Sequence, residues 1–392
     1  MNRRKITEKV FSVGAVDWDR RLFDSLIPLP DGTSYNAYLI VGSQKTVLID
    51  SVDPALKEVL FSKLEGVKQI DYIVCNHAEQ DHSGSIPDVL GRFPLAKVVC
   101  SVKCKDLLTD HLGIAESNLM TVEDGTTLSL GDLTLKFIYT PWVHWPETMS
   151  TYLVEEKILF SCDFFGSHLA TSDLFVSDEA LVYESAKRYY AEIMMPFRSI
   201  VRKNLEKVAS LQVGLIAPSH GPVYPTPSLI MDAYADWASD APKNEVVIPY
   251  ISMHGSTKML VAHLVDALTR EGVSVRQFDL SVTDLGKLAM ALVDAATIVL
   301  GTPTVHVGPH PAVFYATHLA NALRPKLKFA SVIGSYGWAT KAVEQLSALI
   351  PNLKVEVLPT VVCRGLPKDS ELRQIEKLAS IIKEKHIASG IA

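Results

Sequence analysis

The apolar run Ile70 to Cys75 is followed at once by Asn76-His77-Ala78-Glu79-Gln80-Asp81-His82-Ser83-Gly84, and this stretch limits the possible folds more than any other. An apolar run of that length reads as a short buried strand. Its end must therefore be a place where His77, Glu79, Asp81 and His82 can leave the core together, and Ser83-Gly84 is expected to open a helix. Imidazole and carboxylate donors without thiolate suit zinc, iron or manganese rather than a structural cysteine site. The plainer alternative is a solvated loop that carries two histidines and two acids.

That alternative loses ground because the pattern recurs. Leu133 to Ile138 reads as a strand and leads into Pro141-Trp142-Val143-His144-Trp145-Pro146-Glu147. Ile158 to Ser161 reads as a strand that ends at Cys162-Asp163-Phe164-Phe165-Gly166, and Leu215-Ile216-Ala217-Pro218 ends at Ser219-His220-Gly221. Any one of these is weak, since a histidine before Gly-Pro is usually a turn residue. Together they put His144, Asp163 and His220 at the ends of hydrophobic strands, where an α/β scaffold collects a site.

At 392 residues the chain exceeds the usual size of one core, so two domains are expected. Its hydrophobic fraction of 48% and charged fraction of 21% are those of an ordinary globular protein. A formal net charge of −6 argues against a broad nucleic-acid footprint. Arg3-Arg4-Lys5 is followed by Ile6-Thr7-Glu8-Lys9 instead of an apolar signal core, and no run is long and apolar enough to span a membrane. A cytoplasmic protein is expected. The cysteines, Cys75, Cys100, Cys104, Cys162 and Cys363, are odd in number and form no Cys-x-x-Cys pair, which speaks against a disulfide scaffold. Cys75 and Cys162 lie in apolar strand patterns and read as small buried hydrophobes.

Up to about residue 240 the pattern is strands then helices, twice over, which suggests two sheets packed face to face with helices outside. Asn36 to Val41 and Lys45 to Asp50, joined by Gly42-Ser43-Gln44, read as a hairpin. Asp178 to Lys207 carries helical spacing; Tyr190 on it is a candidate to support the site from behind. Asp240-Ala241-Pro242-Lys243-Asn244 reads as an interdomain linker, which divides the chain into residues 1–242 and 243–392. Beyond it strand and helix alternate: Glu245 to Ile251, Val273 to Leu280, Ala296 to Gly301, Phe329 to Gly334 and Lys354 to Thr360 are expected strands, each followed by a helix. That describes an open, doubly wound parallel sheet.

The first strand of that sheet ends in Ser252-Met253-His254-Gly255-Ser256-Thr257, hydroxyl residues around a glycine at a helix N-terminus, which form an anion cradle. No Gly-x-x-x-x-Gly-Lys element is present, so this is not an NTPase loop. The third strand ends in Pro303-Thr304-Val305-His306 and the fourth in Ser335-Tyr336-Gly337-Trp338. In strand order 2-1-3-4-5 these loops converge at the switch point. A phosphate cradle, a polar loop and an aromatic loop suit a planar phosphorylated ring, FMN above all.

With both sites in place the chain resembles the flavodiiron proteins over essentially its whole length. The resemblance implies a metallo-β-lactamase-like αββα sandwich holding a non-haem di-iron centre, followed by a flavodoxin-like doubly wound sheet holding FMN. The first cluster here is His-x-Glu-x-Asp-His, where hydrolytic members of the wider superfamily typically carry His-x-His-x-Asp-His. Three carboxylates beside four imidazoles neutralise much of the charge of two ferric ions and suit iron more than zinc. By the family pattern His77, Glu79 and His144 hold one iron, Asp81, His82 and His220 the other, and Asp163 bridges them. FMN contacts carried over are Ser252, His254, Gly255, Ser256 and Thr257 at the phosphate. Pro303, Thr304, Val305, His306, Ser335, Tyr336, Gly337 and Trp338 lie around the ribityl chain and ring. Asp24 stands where some members have a histidine, and His306 where an amide is common.

The resemblance implies an oxidoreductase of the minimal two-domain class. An external donor, rubredoxin or a reduced deazaflavin, reduces FMN, and the di-iron pair reduces dioxygen to water or nitric oxide to nitrous oxide. It further implies a head-to-tail homodimer or dimer of dimers, with no nucleic-acid or membrane partner. The main rival is a binuclear metallohydrolase with a fused flavodoxin module, which needs zinc and no reductant. A pure electron carrier would need the first domain to be a degenerate scaffold, and degenerate sites usually lose ligands.

Overall fold

Along the central strands of the first half, alternate side chains enter two different cores. Leu39, Leu48, Ile73, Cys75, Val98 and Cys100 join one cluster, while Ile40, Val47, Ile49, Val74 and Val99 join another. Fully burying an aliphatic side chain contributes about 1.5–3 kcal/mol, so a one-residue slip would send every one of these to the wrong face. The register of the sheet is thereby fixed from both sides.

The computed structural model describes residues 2–391. The chain divides into two compact units, Met1–Tyr190 with Phe197–Ala238, and Ala191–Pro196 with Ser239–Ala392. In the first unit a seven-stranded sheet runs Arg4–Lys5, Val10–Ser12, Tyr38–Val41, Thr46–Ile49, Tyr72–Cys75, Lys97–Ser101, Leu119–Val122. A five-stranded sheet runs Thr127–Ser129, Thr134–Tyr139, Met149–Leu153, Ile158–Cys162, Leu215–Pro218. Leu135, Phe137, Phe160 and Ala217 of the second sheet share a core with Val47, Ile49, Val74 and Val99 of the first. On the far side of the first sheet, helices Lys57–Lys63, Ile86–Arg92 and Val102–Leu112 contribute Leu60, Val89 and Leu108. Beyond the second sheet, Tyr234 and Trp237 of helix Ser228–Trp237 close on one another, and Tyr234 on Phe164 and Phe165. This is the face-to-face arrangement read from the sequence. One local expectation changes: Ser83-Gly84 does not open a helix but ends the single turn Gln80–Ser83, which carries Asp81 and His82, and the next helix starts at Ile86.

In the second unit the strand order is Ser274–Asp279, Lys243–Tyr250, Ala295–Val305, Phe329–Tyr336, with a fifth strand in two pieces, Glu356–Val357 and Val361–Arg364. All of these pairings are parallel, which is the 2-1-3-4-5 order. The fifth strand runs later than the expected Lys354 to Thr360. Pro359 has no N–H to give to the ladder, and its carbonyl instead accepts from the Ser331 hydroxyl at 2.8 Å. Helices Ser256–Arg270 and Asp369–Ala388 cover one face of the sheet through Leu260, Leu264, Leu268, Ile375, Leu378 and Ile382. Among the described residues no helix is long and apolar enough to cross a membrane.

The last helix is anchored by a polar contact. His386 is fully buried, its Nδ1 2.8 Å from Asn244 Oδ1 and its Nε2 2.7 Å from Thr297 Oγ1. With the ring neutral, Nδ1 donates to Asn244 Oδ1 and Nε2 accepts from the Thr297 hydroxyl. Burial, with a smaller push from Lys383, lowers its pKa from 6.5 to about 4. The unfolded chain therefore takes up this proton before the folded one does. Stability from this group is complete above the unfolded pKa and is lost as pH falls from about 6.5 to about 4, by on the order of 2 kcal/mol. Urea unfolding of this unit should show that loss, and His386→Gln should flatten the pH dependence over the same interval.

Candidate metal centre and ligand cleft

The four segments singled out in the first half converge. His77 follows strand Tyr72–Cys75, His144 lies in the loop after Thr134–Tyr139, Asp163 ends Ile158–Cys162 and His220 ends Leu215–Pro218. Asp81 and His82 come from the one-turn helix beside them. His77, Glu79, His144 and Asp163 offer ligand atoms all within 4.8 Å of one another, as do Asp81, His82 and His220.

Asp163 joins the two groups. Its Oδ2 lies 3.4 Å from His77 Nε2 and 3.5 Å from His144 Nε2. Its Oδ1 lies 3.0 Å from His82 Nε2 and 3.3 Å from His220 Nε2. Glu79 Oε2 belongs to the first group alone, 3.2 Å from His77 Nε2 and 3.0 Å from His144 Nε2. Asp81 belongs to the second, with its two oxygens each 3.3 Å from His82 Nε2 and His220 Nε2. One carboxylate thus faces two clusters of imidazoles, an oxygen to each.

Burial makes this arrangement expensive without cations. His77 and His82 have no exposed surface, and Asp81, Asp163 and His220 are also buried. Both oxygens of Asp81 and Oδ2 of Asp163 lack any hydrogen-bond donor. Buried carboxylate oxygens without a directed hydrogen bond are costly. Burial opposes ionisation of Asp163, but His82, His144 and His220 more than offset this and hold it well below the usual carboxylate range. Burial likewise opposes charge on His77, yet the Glu147 and Glu79 carboxylates raise its pKa well above the ordinary value. These groups hold protons where metal ions would otherwise neutralise the carboxylates. The donor set and its orphaned oxygens fit two hard cations.

The outer contacts orient the rings. His77 Nδ1 lies 2.6 Å from Glu147 Oε1, which also accepts the Ala78 N–H at 3.1 Å. His220 Nδ1 donates to the Ser34 carbonyl at 2.6 Å. Each leaves Nε2 free to face the centre. Behind His77, the buried Asp50 carboxylate accepts both the Asn76 N–H and its side-chain amide, and Thr151 donates to Asn76 Oδ1. The strand end is held before the ligand begins.

Several of these groups were not legible in the sequence. Tyr189 donates its hydroxyl to Asp163 Oδ1 at 2.9 Å. The expected supporter, Tyr190, turns away, its ring against Tyr234 and Trp237 and its hydroxyl without a partner. His168 is a second addition: Nδ1 is 2.9 Å from Thr33 Oγ1, and its ring lies 4.9 Å from that of His220 and 4.8 Å from that of Tyr189. Phe23 covers His168 at 5.5 Å. It leads into the hairpin turn at Asp24 and Ser25, both with φ near +50°. Asp24 itself is exposed, and partial burial with the nearby charges of Glu79 and Asp81 raises its pKa.

In the second unit a cleft of about 330 Å³ is lined by Ser252, His254, Ser256, Pro303, Thr304, Ser335, Tyr336, Gly337 and Trp338, as expected, and also by Met253 and Gly365. Gly255, at φ +88°, starts helix Ser256–Arg270 without a side-chain cap. A Cβ at Gly255 or Gly337 would meet no atom within 4 Å, so backbone here borders open space. A cleft of this size at a helix N-terminus fits a phosphorylated ring compound. Thr257 does not line it; its hydroxyl is 3.1 Å from that of Ser335. Val305 and His306 do not either, because Val305 pairs with Gly308 and His306 forms the turn of that hairpin. Gly365 arrives because the fifth strand ends later than expected, and Arg364 Nε fixes the aromatic loop by donating to the Gly337 carbonyl at 3.0 Å.

Glu147 gives the sharpest check on this geometry. Loss of a carboxylate behind a ligating histidine typically costs 10–100-fold in metal affinity. Glu147→Ala should lower metal retention against a competing chelator by about that factor, whereas Glu147→Gln, which keeps an oxygen for the His77 N–H, should lose less.

The comparisons with known proteins cover both units. A profile described as ODP family beta lactamase matches residues 33–221, the span that carries every candidate metal ligand. The "Nitric oxide reductase" of Moorella thermoacetica is 37% identical over 398 residues, covering 99% of this chain and 98% of that protein. The rubredoxin oxygen:oxidoreductase structure from Desulfovibrio gigas superposes with a TM-score of 0.95 at 28% identity, covering 100% of both chains. The flavodiiron protein of Giardia intestinalis superposes with a TM-score of 0.93 at 29% identity, covering 99% of this chain and 97% of that one. Similarity that runs through both the carboxylate–imidazole centre and the cleft-bearing sheet leaves one conclusion: the chain belongs to the flavodiiron protein family.

Proposed function

We propose that this chain is an oxidoreductase that reduces dioxygen to water, nitric oxide to nitrous oxide, or both, with electrons from an external donor. Residues 1–242 form the metal domain and residues 243–392 the FMN domain. His77, Glu79 and His144 would hold one iron and Asp81, His82 and His220 the other, with Asp163 placed to serve both. Bound in the cleft and at the centre, FMN and two irons would supply the electron transfer and the redox chemistry for reducing a diatomic substrate. The observation that carries this reading is the division of Asp163 between two imidazole clusters, one oxygen to each.

The chain's own contribution is geometry. Asp163 fixes how the two half-sites face one another. Glu147 and the Ser34 carbonyl keep Nε2 of His77 and His220 turned inward. Trp145, edge-on to His77 at 4.9 Å, screens the first half-site. Glu79 in place of a third histidine adds negative charge that favours iron over zinc.

The donor is rubredoxin, as the name of the Desulfovibrio gigas protein states for that enzyme, or a reduced deazaflavin. The working unit is a head-to-tail homodimer, alone or paired, in which FMN of one protomer serves the irons of its partner. Its place is the cytoplasm. The deciding experiment is consumption of dioxygen and of nitric oxide by the chemically reduced protein, with iron and FMN quantified per chain. Two irons and one FMN with uptake of at least one gas are expected; an iron-loaded, reduced protein that consumes neither overturns the reading. Asp163→Asn should lose iron and activity and keep FMN. A tenfold dilution series should reduce specific activity as dimers dissociate; a monomer with full activity overturns the shared arrangement.

A further inference from the structure

Cys162 read from sequence as a small buried hydrophobe, but its backbone sets it apart. It ends strand Ile158–Cys162 with φ +55°, a region uncommon for a residue with a side chain. Pairing with Leu215–Pro218 slips between Phe160 and Cys162. Irregularities of this kind beside a site re-aim side chains. Here the backbone is held by the Ser219 N–H, which donates to the Cys162 carbonyl at 2.9 Å. As a result Sγ lies within 4.8 Å of a ring nitrogen of His82 and a carboxylate oxygen of Asp163.

His82 supplies the second observation. His77 and His220 have their Nδ1 atoms engaged by Glu147 and Ser34. His82 is fully buried, and neither of its ring nitrogens makes a well-directed hydrogen bond, although Nε2 faces Asp163 Oδ1 at 3.0 Å. Its ring, unlike those of His77 and His220, has no outer anchor. Of the other four cysteines, Cys75 donates to the His77 carbonyl and Cys363 to the Gly365 carbonyl.

We propose that Cys162, His82 and Asp163 form a second, softer donor set overlapping the second half-site, which takes a thiophilic divalent ion such as zinc in place of iron. The inference rests on the binuclear reading above. A mixed sulfur, nitrogen and oxygen set suits zinc, whereas the Asp81–His82–His220 set is harder. His82 and Asp163 belong to both, so the two occupancies exclude one another. Zinc binding displaces the thiol proton to solvent and involves no redox change. Zinc availability then becomes a control on how many chains carry the working pair.

The test is zinc X-ray absorption on the full-length, FMN-loaded protein, stripped of metal and reloaded with zinc alone. The wild type should show a sulfur scatterer at about 2.3 Å, the usual zinc–thiolate distance. Cys162→Ser and Cys162→Ala should lose it while retaining FMN and native circular dichroism. Cys104→Ser and Asp81→Ala should keep it. Zinc bound through nitrogen and oxygen only in the wild type overturns this inference and leaves the binuclear reading standing, as does a sulfur signal that survives in both Cys162 variants. Failure to retain any zinc likewise overturns this inference alone, because the binuclear reading is one for iron and is tested by iron content and gas uptake.

Discussion

One buried carboxylate governs the first half of the molecule. Asp163 cannot remain ionised in a dry setting unless positive charge surrounds it, and four histidines supply that surround. Four chain segments must therefore end at one point, within about 3.5 Å of a single side chain. Parallel pairing of Ile158–Cys162 with Leu215–Pro218 and of Tyr72–Cys75 with its neighbours makes this possible, because it puts the strand ends at one edge of each sheet. The two-sheet sandwich is the scaffold that satisfies this demand.

The groups around the centre follow from the same need. A ligand ring that can rotate loses its aim, so Glu147 and the Ser34 carbonyl hold two of the rings by their outer nitrogens. Asp50 and Asn76 do for the backbone what these do for the rings. Tyr189, one hydrogen bond from Asp163 Oδ1, lowers the need for a further cation on that side. His168 packs on both Tyr189 and His220, so the hairpin carrying Phe23 is tied by packing to the second half-site.

What the sequence revealed and what it hid have physical reasons. His77, Glu79, Asp81, His82, His144, Asp163 and His220 were legible because each follows an apolar strand, and strand ends are where polar donors can gather. The parallel order of the second unit was legible from alternating periods. Glu147 and His168 were not, since their partners His77 and Thr33 lie 70 and 135 positions away and nothing local marks either residue. Tyr189 and Tyr190 differ by a helical phase: the α-helix ends at Tyr189 and a π-turn begins at Tyr190. Periodicity does not resolve one residue at such a junction. Val305 and His306 stand outside the lining of the cleft because Ala295–Val305 extends past the sheet into a small hairpin with Gly308–Pro309.

The two half-sites are unequally held, and that asymmetry has a use. Around the first, Glu147 fixes His77, Glu79 touches two histidines, and Trp145 packs on His77 and His144. Around the second, His220 is anchored but His82 is not, and neither oxygen of Asp81 makes a directed hydrogen bond. A centre that must bind a small molecule between two metals needs one metal held firmly and a partner whose shell can adjust. Firmness on both sides would leave no position to open; looseness on both would lose the metals. In this chain the ring without a directed hydrogen bond is His82, and a cysteine lies beside it, so the softer donor set proposed above would enter on the less firmly held side.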